Sequence, residues 1–224
     1  LLRHVEFVSN HYSTGDFKLV YQNQVAELYV EQSDLPGVAR ALADFQKDVE
    51  RVTDLTPSII DKPGELNENA VIVGTIGHSS VIDDLIATGK LDVEEVTGKW
   101  ESYVIQVVPN PLPNVTIGLV IAGSDRRGTI YGIYEVSRQI GVSPWYWWAD
   151  VTPEKRENLI IQNGVYKQGE PSVKYRGIFL NNEAPSLSTW VQRFGGFNHQ
   201  FYEKVFELVL RLRANYLWPA MWSP

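Results

Sequence analysis

With 224 residues, 44% of them hydrophobic and 21% charged, the chain has the composition of a folded protein and the length of one large domain, or of one domain and part of another, which excludes a disordered chain. A net charge of −7 and the absence of cysteine speak against a nucleic-acid surface, which needs clustered Lys and Arg, and exclude disulfides, zinc–thiolate centres and thiol nucleophiles. No apolar run approaches the ~20 residues of a membrane helix and nothing at the N-terminus resembles an intact signal peptide, so a soluble protein with no membrane partner is expected.

Residues 17–30, FKLVYQNQVAELYV, alternate apolar and polar side chains, and Asn23-Gln24 predicts a tight turn between two short strands. From 35 to 52 the residues Val38, Leu42, Phe45, Val49 and Val52 recur at three and four, the stripe of an amphipathic helix. Pro36 stands near its start, where a missing amide proton costs nothing. The β-branched runs PSIID and AVIVG predict buried strands on either side of a polar loop with Pro63-Gly64.

Gly74-Thr75-Ile76-Gly77-His78-Ser79-Ser80 then leads into a short helix, with Ser80 as N-cap and Asp83 three residues on. A glycine turn before a helix offers amide protons to an anion, but the spacing is not GxGxxG, and a tight strand-to-helix turn accounts for the glycines by itself. His78 reads as a local hydrogen-bonder. Residues 103–108 and 115–122 predict two more strands joined across PNPLPN, whose last residue opens the glycosylation sequon Asn114-Val115-Thr116.

Gly123-Ser124-Asp125-Arg126-Arg127-Gly128-Thr129 precedes a helix expected from about 130 to 140 and stopped by Gly141. The GxxxxG-Thr spacing is half of a phosphate-binding loop without its Lys, so NTP binding is rejected. Two readings of the arginines stand. Arg126 and Arg127 grip a ligand carboxylate at the helix N-terminus, or they and Asp125 cap and salt-bridge the turn.

Six of the seven tryptophans lie at 145, 147, 148, 190, 218 and 222. Any one of them can simply fill a core, but Trp145-Tyr146-Trp147-Trp148 places four rings in succession, and neither a helix nor a strand turns them all to one face. Some of them, with Trp147 and Trp148 as candidates, are expected to meet a neighbouring domain or a sugar ring. Residues 151–173, punctuated by Pro153, Gly164, Gly169 and Pro171, are expected to be a Pro/Gly-rich linker ending a first domain, 1–173.

From 174 the pattern is strand (175–180), polar loop Asn181-Asn182-Glu183-Ala184-Pro185, a connection through Gly195-Gly196, a helix (198–214) and a second strand from Tyr216-Leu217-Trp218. Phe201, Val205, Leu208, Val209 and Leu212 supply the helix stripe, with Glu203 near its start and Arg211 and Arg213 at its end, as the helix dipole prefers. A strand, a helix and a parallel strand open a (β/α)₈ barrel, which needs ~250 residues and keeps its chemistry just past the strand ends, where Glu183 lies. Only 51 residues follow Val173. The expected fold class is therefore α/β, an N-terminal mixed α/β sandwich domain followed at 174–224 by the first strand-helix-strand of a (β/α)₈ barrel, incomplete in what reads as a piece of a longer enzyme.

GSDRRGTIYGIYEVSRQIGVSPWYWWADV, KYRGIFLNNEAP and FYEKVFELVLRLRANYLWPAMW together resemble glycoside hydrolase family 115, the xylan α-glucuronidases, over roughly residues 65–224. The resemblance implies removal of glucuronic acid, often 4-O-methylated, from α-1,2 linkages of glucuronoxylan or glucuronoxylo-oligosaccharides, with inversion and without an organic cofactor or metal. A secreted or periplasmic setting is expected, to which the sequon lends slight support, and the resemblance leaves a homodimer open. Glu183 matches the acidic position after the family's first barrel strand and is the expected catalytic or substrate-holding carboxylate. Asn181, Asn182, Arg126, Arg127, Trp147, Trp148 and Trp218 are the expected substrate contacts. The family usually has Asn-Asp-Glu where this chain has Asn181-Asn182-Glu183, so residue 182 can hydrogen-bond a sugar hydroxyl but cannot be a base.

Inverting hydrolysis needs an acid and a base about 6.5–9.5 Å apart. The partners of Glu183 are expected on later strands, so the 224 residues are expected to be inactive alone. Two competing readings are a non-catalytic carbohydrate-binding or interaction module using the Trp cluster, and a hexosaminidase-like barrel hydrolase of the same two-domain plan.

Overall fold

The computed structural model describes residues 5–219. β1 (Val8–Ser9) precedes a hairpin of β2 (Phe17–Tyr21) and β3 (Gln24–Val25), and β4 (Glu27–Val30) follows at once. The turn uses Gln22 and Asn23, with φ of 49° and 63°, one residue earlier than expected. Two successive positive φ values make the turn whose twist matches the flanking strands. α1 (Pro36–Thr53) follows its apolar stripe, since Val38, Leu42, Phe45, Val49 and Val52 are all fully buried. Each such burial stabilises by about 1.5–3 kcal/mol.

β5 (Ile59–Ile60) and β6 (Asn69–Thr75) flank a 3₁₀ turn at Pro63–Glu65. α2 (Ser80–Ala87) is capped by Ser79 rather than Ser80, because the Ser79 hydroxyl accepts from the Ile82 amide at 3.4 Å while Ser80 is engaged elsewhere. β7 (Tyr103–Leu112) and β8 (Val115–Gly123) form a long hairpin. β7 continues through Pro109 and Pro111, which the sequence assigns to the turn. A register shift between Pro109 and Leu112, with Asn110 at φ 47°, makes the irregularity that admits prolines to a ladder. The chain reverses after Leu112, and there the Asn114 side-chain amide donates to the carbonyls of Pro63 (3.2 Å) and Leu66 (2.5 Å). The nitrogen of the sequon is thus bonded to the backbone of a neighbouring loop.

α3 (Arg126–Gln139) starts four residues before its expected position, because Asp125 caps it. Its glycines permit close approach: a Cβ on Gly128 would stand 2.2 Å from the Ser102 carbonyl oxygen, and one on Gly132 would stand 2.8 Å from Ile121 Cγ2. The stretch 151–173 is no simple linker. It supplies β9 (Leu159–Ile161), fully buried, and β10 (Val165–Gln168). β9 lies between β1 and β2 in a sheet of order β1-β9-β2-β3, and β10 edges a sheet of order β10-β7-β8-β6-β4-β5. In the larger sheet β4, β5, β6 and β8 are parallel, while β7 and β10 are antiparallel to their neighbours.

Side chains alternate across this sheet. Ile121 faces Gly132 of α3, whereas Val120 joins Ile72 and Val104 in a core with Val81, Ile82 and Leu85 of α2. The sheet is therefore a layer between helices, a mixed α/β arrangement.

The chain divides into two compact units, Leu1–Pro171 and Ser172–Pro224. The second holds β11 (Gly177–Phe179), α4 (Leu187–Trp190), a 3₁₀ turn at Val191–Phe194, α5 (His199–Arg211) and β12 (Tyr216–Trp218). β11 and β12 are parallel. Asn198 caps α5, accepting from the Phe201 amide at 3.0 Å. Two details of this helix depart from expectation: Leu212 is exposed at the C-cap, and Arg211 is buried in an ion pair with Glu207 at 2.9 Å. Trp222 lies outside the described residues. Among the described residues no helix is long and apolar enough to cross a membrane.

Candidate active site

In the second unit the two parallel strands are tied together at their N-terminal ends. The Arg176 guanidinium donates to the carbonyls of Arg213 (2.8 Å) and Val173 (2.8 Å), and the Asn215 side chain accepts from the Arg176 amide (3.0 Å) and donates to the Lys174 carbonyl (2.7 Å). Gly177 completes the approach, since a Cβ there would stand 2.0 Å from the Tyr216 carbonyl oxygen. The pairing runs on to the other end, where the Leu180 amide donates to the Trp218 carbonyl at 3.0 Å.

Just past that end comes the loop with three expected site residues. Asn181 Oδ1 accepts from the Glu183 amide (3.1 Å) and the Ser186 hydroxyl donates to the Glu183 carbonyl (3.3 Å), folding the loop on itself. Glu183 is exposed, whereas Asn182 is only 6% exposed. A neutral amide suits the buried position, because an ionised Asp there would lose its hydration.

Trp218 is 57% exposed and meets Phe179, 48% exposed, edge to face at 5.9 Å. Strand alternation puts Tyr175, Gly177 and Phe179 on one face with Tyr216 and Trp218, and Ile178 and Leu217 on the other. The second unit thus joins Asn181, Asn182, Glu183 and Trp218 at the C-terminal ends of a parallel pair. Trp190 is packed instead among Arg193 (4.2 Å), Phe194 (5.0 Å) and Phe201 (6.5 Å).

Arg126, Arg127, Trp147 and Trp148 belong to the first unit. Asp125 Oδ1 accepts from the Gly128 amide (2.8 Å) and its Oδ2 from the Glu101 amide (2.9 Å), so the chain's own carboxylate occupies the anion position of the α3 N-terminus. Arg127 Nε donates to buried Glu101 at 2.5 Å. Arg126 is exposed and lies against Gly37. Of the aromatic run, Trp145 is exposed and the other three rings are half-buried, with Tyr146 under the Arg51 guanidinium (4.4 Å) and Trp147 edge-on to Trp148 (4.8 Å).

The α2 N-terminus is filled in the same way. Glu31 accepts from the Ser80 amide (2.6 Å), the Ser80 hydroxyl (2.9 Å) and the Ser79 hydroxyl (3.2 Å). Burial pushes its carboxyl up, but the hydrogen bonds from Ser80 and Ser79 outweigh this and hold it below the usual Glu range. Nearby, Asp34 accepts from the Thr75 amide at 2.6 Å. His78 is exposed, and its amide donates to the Thr75 carbonyl at 2.9 Å. Both glycine turns therefore carry built-in anions. Sequence reasoning missed Glu31 and Glu101, whose partners lie 49 and 26 residues away. It also passed over Arg176 and Asn215, although a guanidinium and an amide at the starts of two apolar strands are a readable signal.

The profile of glycosyl hydrolase family 115 matches residues 168–224. No curated protein matches the chain. The chain is similar to the solved structure of a family GH115 4-O-methyl-α-glucuronidase with specificity for decorated arabinogalactans, at 38% identity and a TM-score of 0.76, over 92% of this chain and 26% of that one. It thus spans about a quarter of that relative's length. It is also similar to the Streptomyces plicatus N-acetyl-β-hexosaminidase (11% identity, TM-score 0.51, over 90% of this chain and 30% of that one). A further likeness is to a GH20 β-N-acetylhexosaminidase of Streptomyces coelicolor (12%, 0.50, 90% and 31%). At such identities the likeness to the hexosaminidases is one of fold alone.

Proposed function

The chain belongs to glycoside hydrolase family 115, and on that premise we propose that it forms part of an enzyme hydrolysing terminal glucuronic acid, 4-O-methylated or not, from a plant polysaccharide. The observation that carries this reading is the 38% identity, over 92% of the chain, to a 4-O-methyl-α-glucuronidase. β11 and β12 open a (β/α)₈ barrel in this proposal. Their parallel pairing and the exposed aromatic face of Phe179 and Trp218, which further strands would cover, support it.

Glu183 is the substrate-facing carboxylate. It is exposed at the strand ends and is the only acidic group of the loop. With a second carboxyl about 6.5–9.5 Å away it would serve as one of the two groups of inverting hydrolysis. In the enzyme that carries this chain, Glu183→Gln should lower kcat about 10²–10⁴-fold, the span of general acid–base catalysis. An intact kcat with a raised KM would make Glu183 a binding group only.

Two polysaccharide scaffolds compete. The family resemblance favours glucuronoxylan with α-1,2 linkages, whereas the similar structure is specific for decorated arabinogalactans. Glucuronate release by the enzyme that carries this chain, measured side by side on glucuronoxylan and on glucuronate-decorated arabinogalactan, distinguishes them, and release from neither by that enzyme overturns the proposal.

A further inference from the structure

Where the β2–β3 hairpin meets the approach to β6, the first unit has a cleft of about 590 Å³ lined by Lys18, Tyr21, Gln24, Asn67, Glu68 and Asn69. Small-molecule sites usually measure about 300–1,000 Å³. The walls are held in place. The Gln22 amide at the hairpin turn donates to Asn158 Oδ1 (3.2 Å), and Glu27 accepts from both the backbone and the side-chain amide of Asn67, each at 2.7 Å.

The side chains of Gln24, Glu68 and Asn69 make no hydrogen bond or ion pair among the described residues. The Lys18 ammonium has ring neighbours, Tyr12 at 4.3 Å and Tyr21 at 5.1 Å, and no carboxylate partner among the described residues. The two amides each offer a donor and an acceptor, Glu68 only acceptors and Lys18 only donors. Glu68 would repel a phosphate, and an apolar ligand would leave four polar groups stripped of water. Vicinal hydroxyls match this set, and the Tyr21 ring adds flat apolar surface.

We propose that this cleft binds a short neutral glycan segment. The proposal rests on the first unit alone and is independent of the hydrolase reading, because binding needs no catalytic group.

Calorimetric titration of the 224-residue chain with xylotetraose and, separately, with galactotetraose tests it. Saturable binding of at least one sugar is expected, weakened about fivefold or more by Gln24→Ala and by Asn69→Ala, the effect of one lost hydrogen bond. Gln24 is exposed, so its replacement leaves the fold intact, and thermal melting of both variants checks this. Failure of both sugars to bind saturably, or affinity that neither variant changes, overturns the proposal. Equally tight binding of inorganic phosphate, displacing the sugar, also overturns it.

Discussion

Glu31 sits at the N-terminus of α2 without belonging to it, and its carboxylate joins β4 to the turn after β6 through Ser79 and Ser80. Because its folded pKa lies below the ordinary value, its contribution to stability is full above the unfolded Glu pKa. It is lost as pH falls through the folded one. Glu31→Gln should therefore lower the melting temperature by about 2–4 °C at neutral pH, equivalent to about 1 kcal/mol. The gap to the parent chain should close in acid, where both side chains are neutral. An equal gap at all pH values would show that the charge is irrelevant. Arg127 poses a related question, being 44% exposed while its partner Glu101 is buried. Arg127→Ala should cost about 1–2 kcal/mol, less than a fully buried pair because water screens the guanidinium, with KM unchanged in the active enzyme. A raised KM at unchanged stability would assign Arg127 to substrate instead.

At the scale of elements, the β11–β12 pair depends on a strand position without a side chain. Gly177→Ala forces a methyl group against the Tyr216 carbonyl and should destabilise the second unit by about 1–3 kcal/mol. Faster amide exchange at Leu180 and Tyr216, with the amides of β6 unaffected, is the expected signature. α1 is legible in the sequence because five apolar residues at helical spacing all enter one core. β9 and β10 are not, since strands of three and four residues carry too little alternation and their partners are distant in the chain, as Ser9 is from Ile160. The turn after Tyr21 and the prolines of β7 were displaced for a related reason: local turn propensity is read one segment at a time, while the register is set by the strand opposite. The placement of Glu183 just past a strand end was legible because it follows an apolar run. Glu31 and Glu101 act through contacts across space and leave no local pattern.

At the scale of the whole molecule, the chain corresponds to 26% of its similar glucuronidase, and Glu183, the single carboxylate of its loop, cannot supply both an acid and a base. Incubated alone with glucuronoxylan or glucuronate-decorated arabinogalactan, it should release no glucuronate above a no-protein blank. Release by the isolated chain would mean that the loop at Glu183 recruits a second carboxylate from within these residues.

The burial of β9 between β1 and β2 also dictates an order of assembly. β1 is made before β9, its partner in the sheet, so on the ribosome it must wait for most of the first unit to be synthesised. Such distant pairing makes folding slow. Until β9 arrives, β1 and one edge of β2 are open to other strands, so nascent chains stalled before Leu159 carry unpaired strand edges that a chaperone would have to cover.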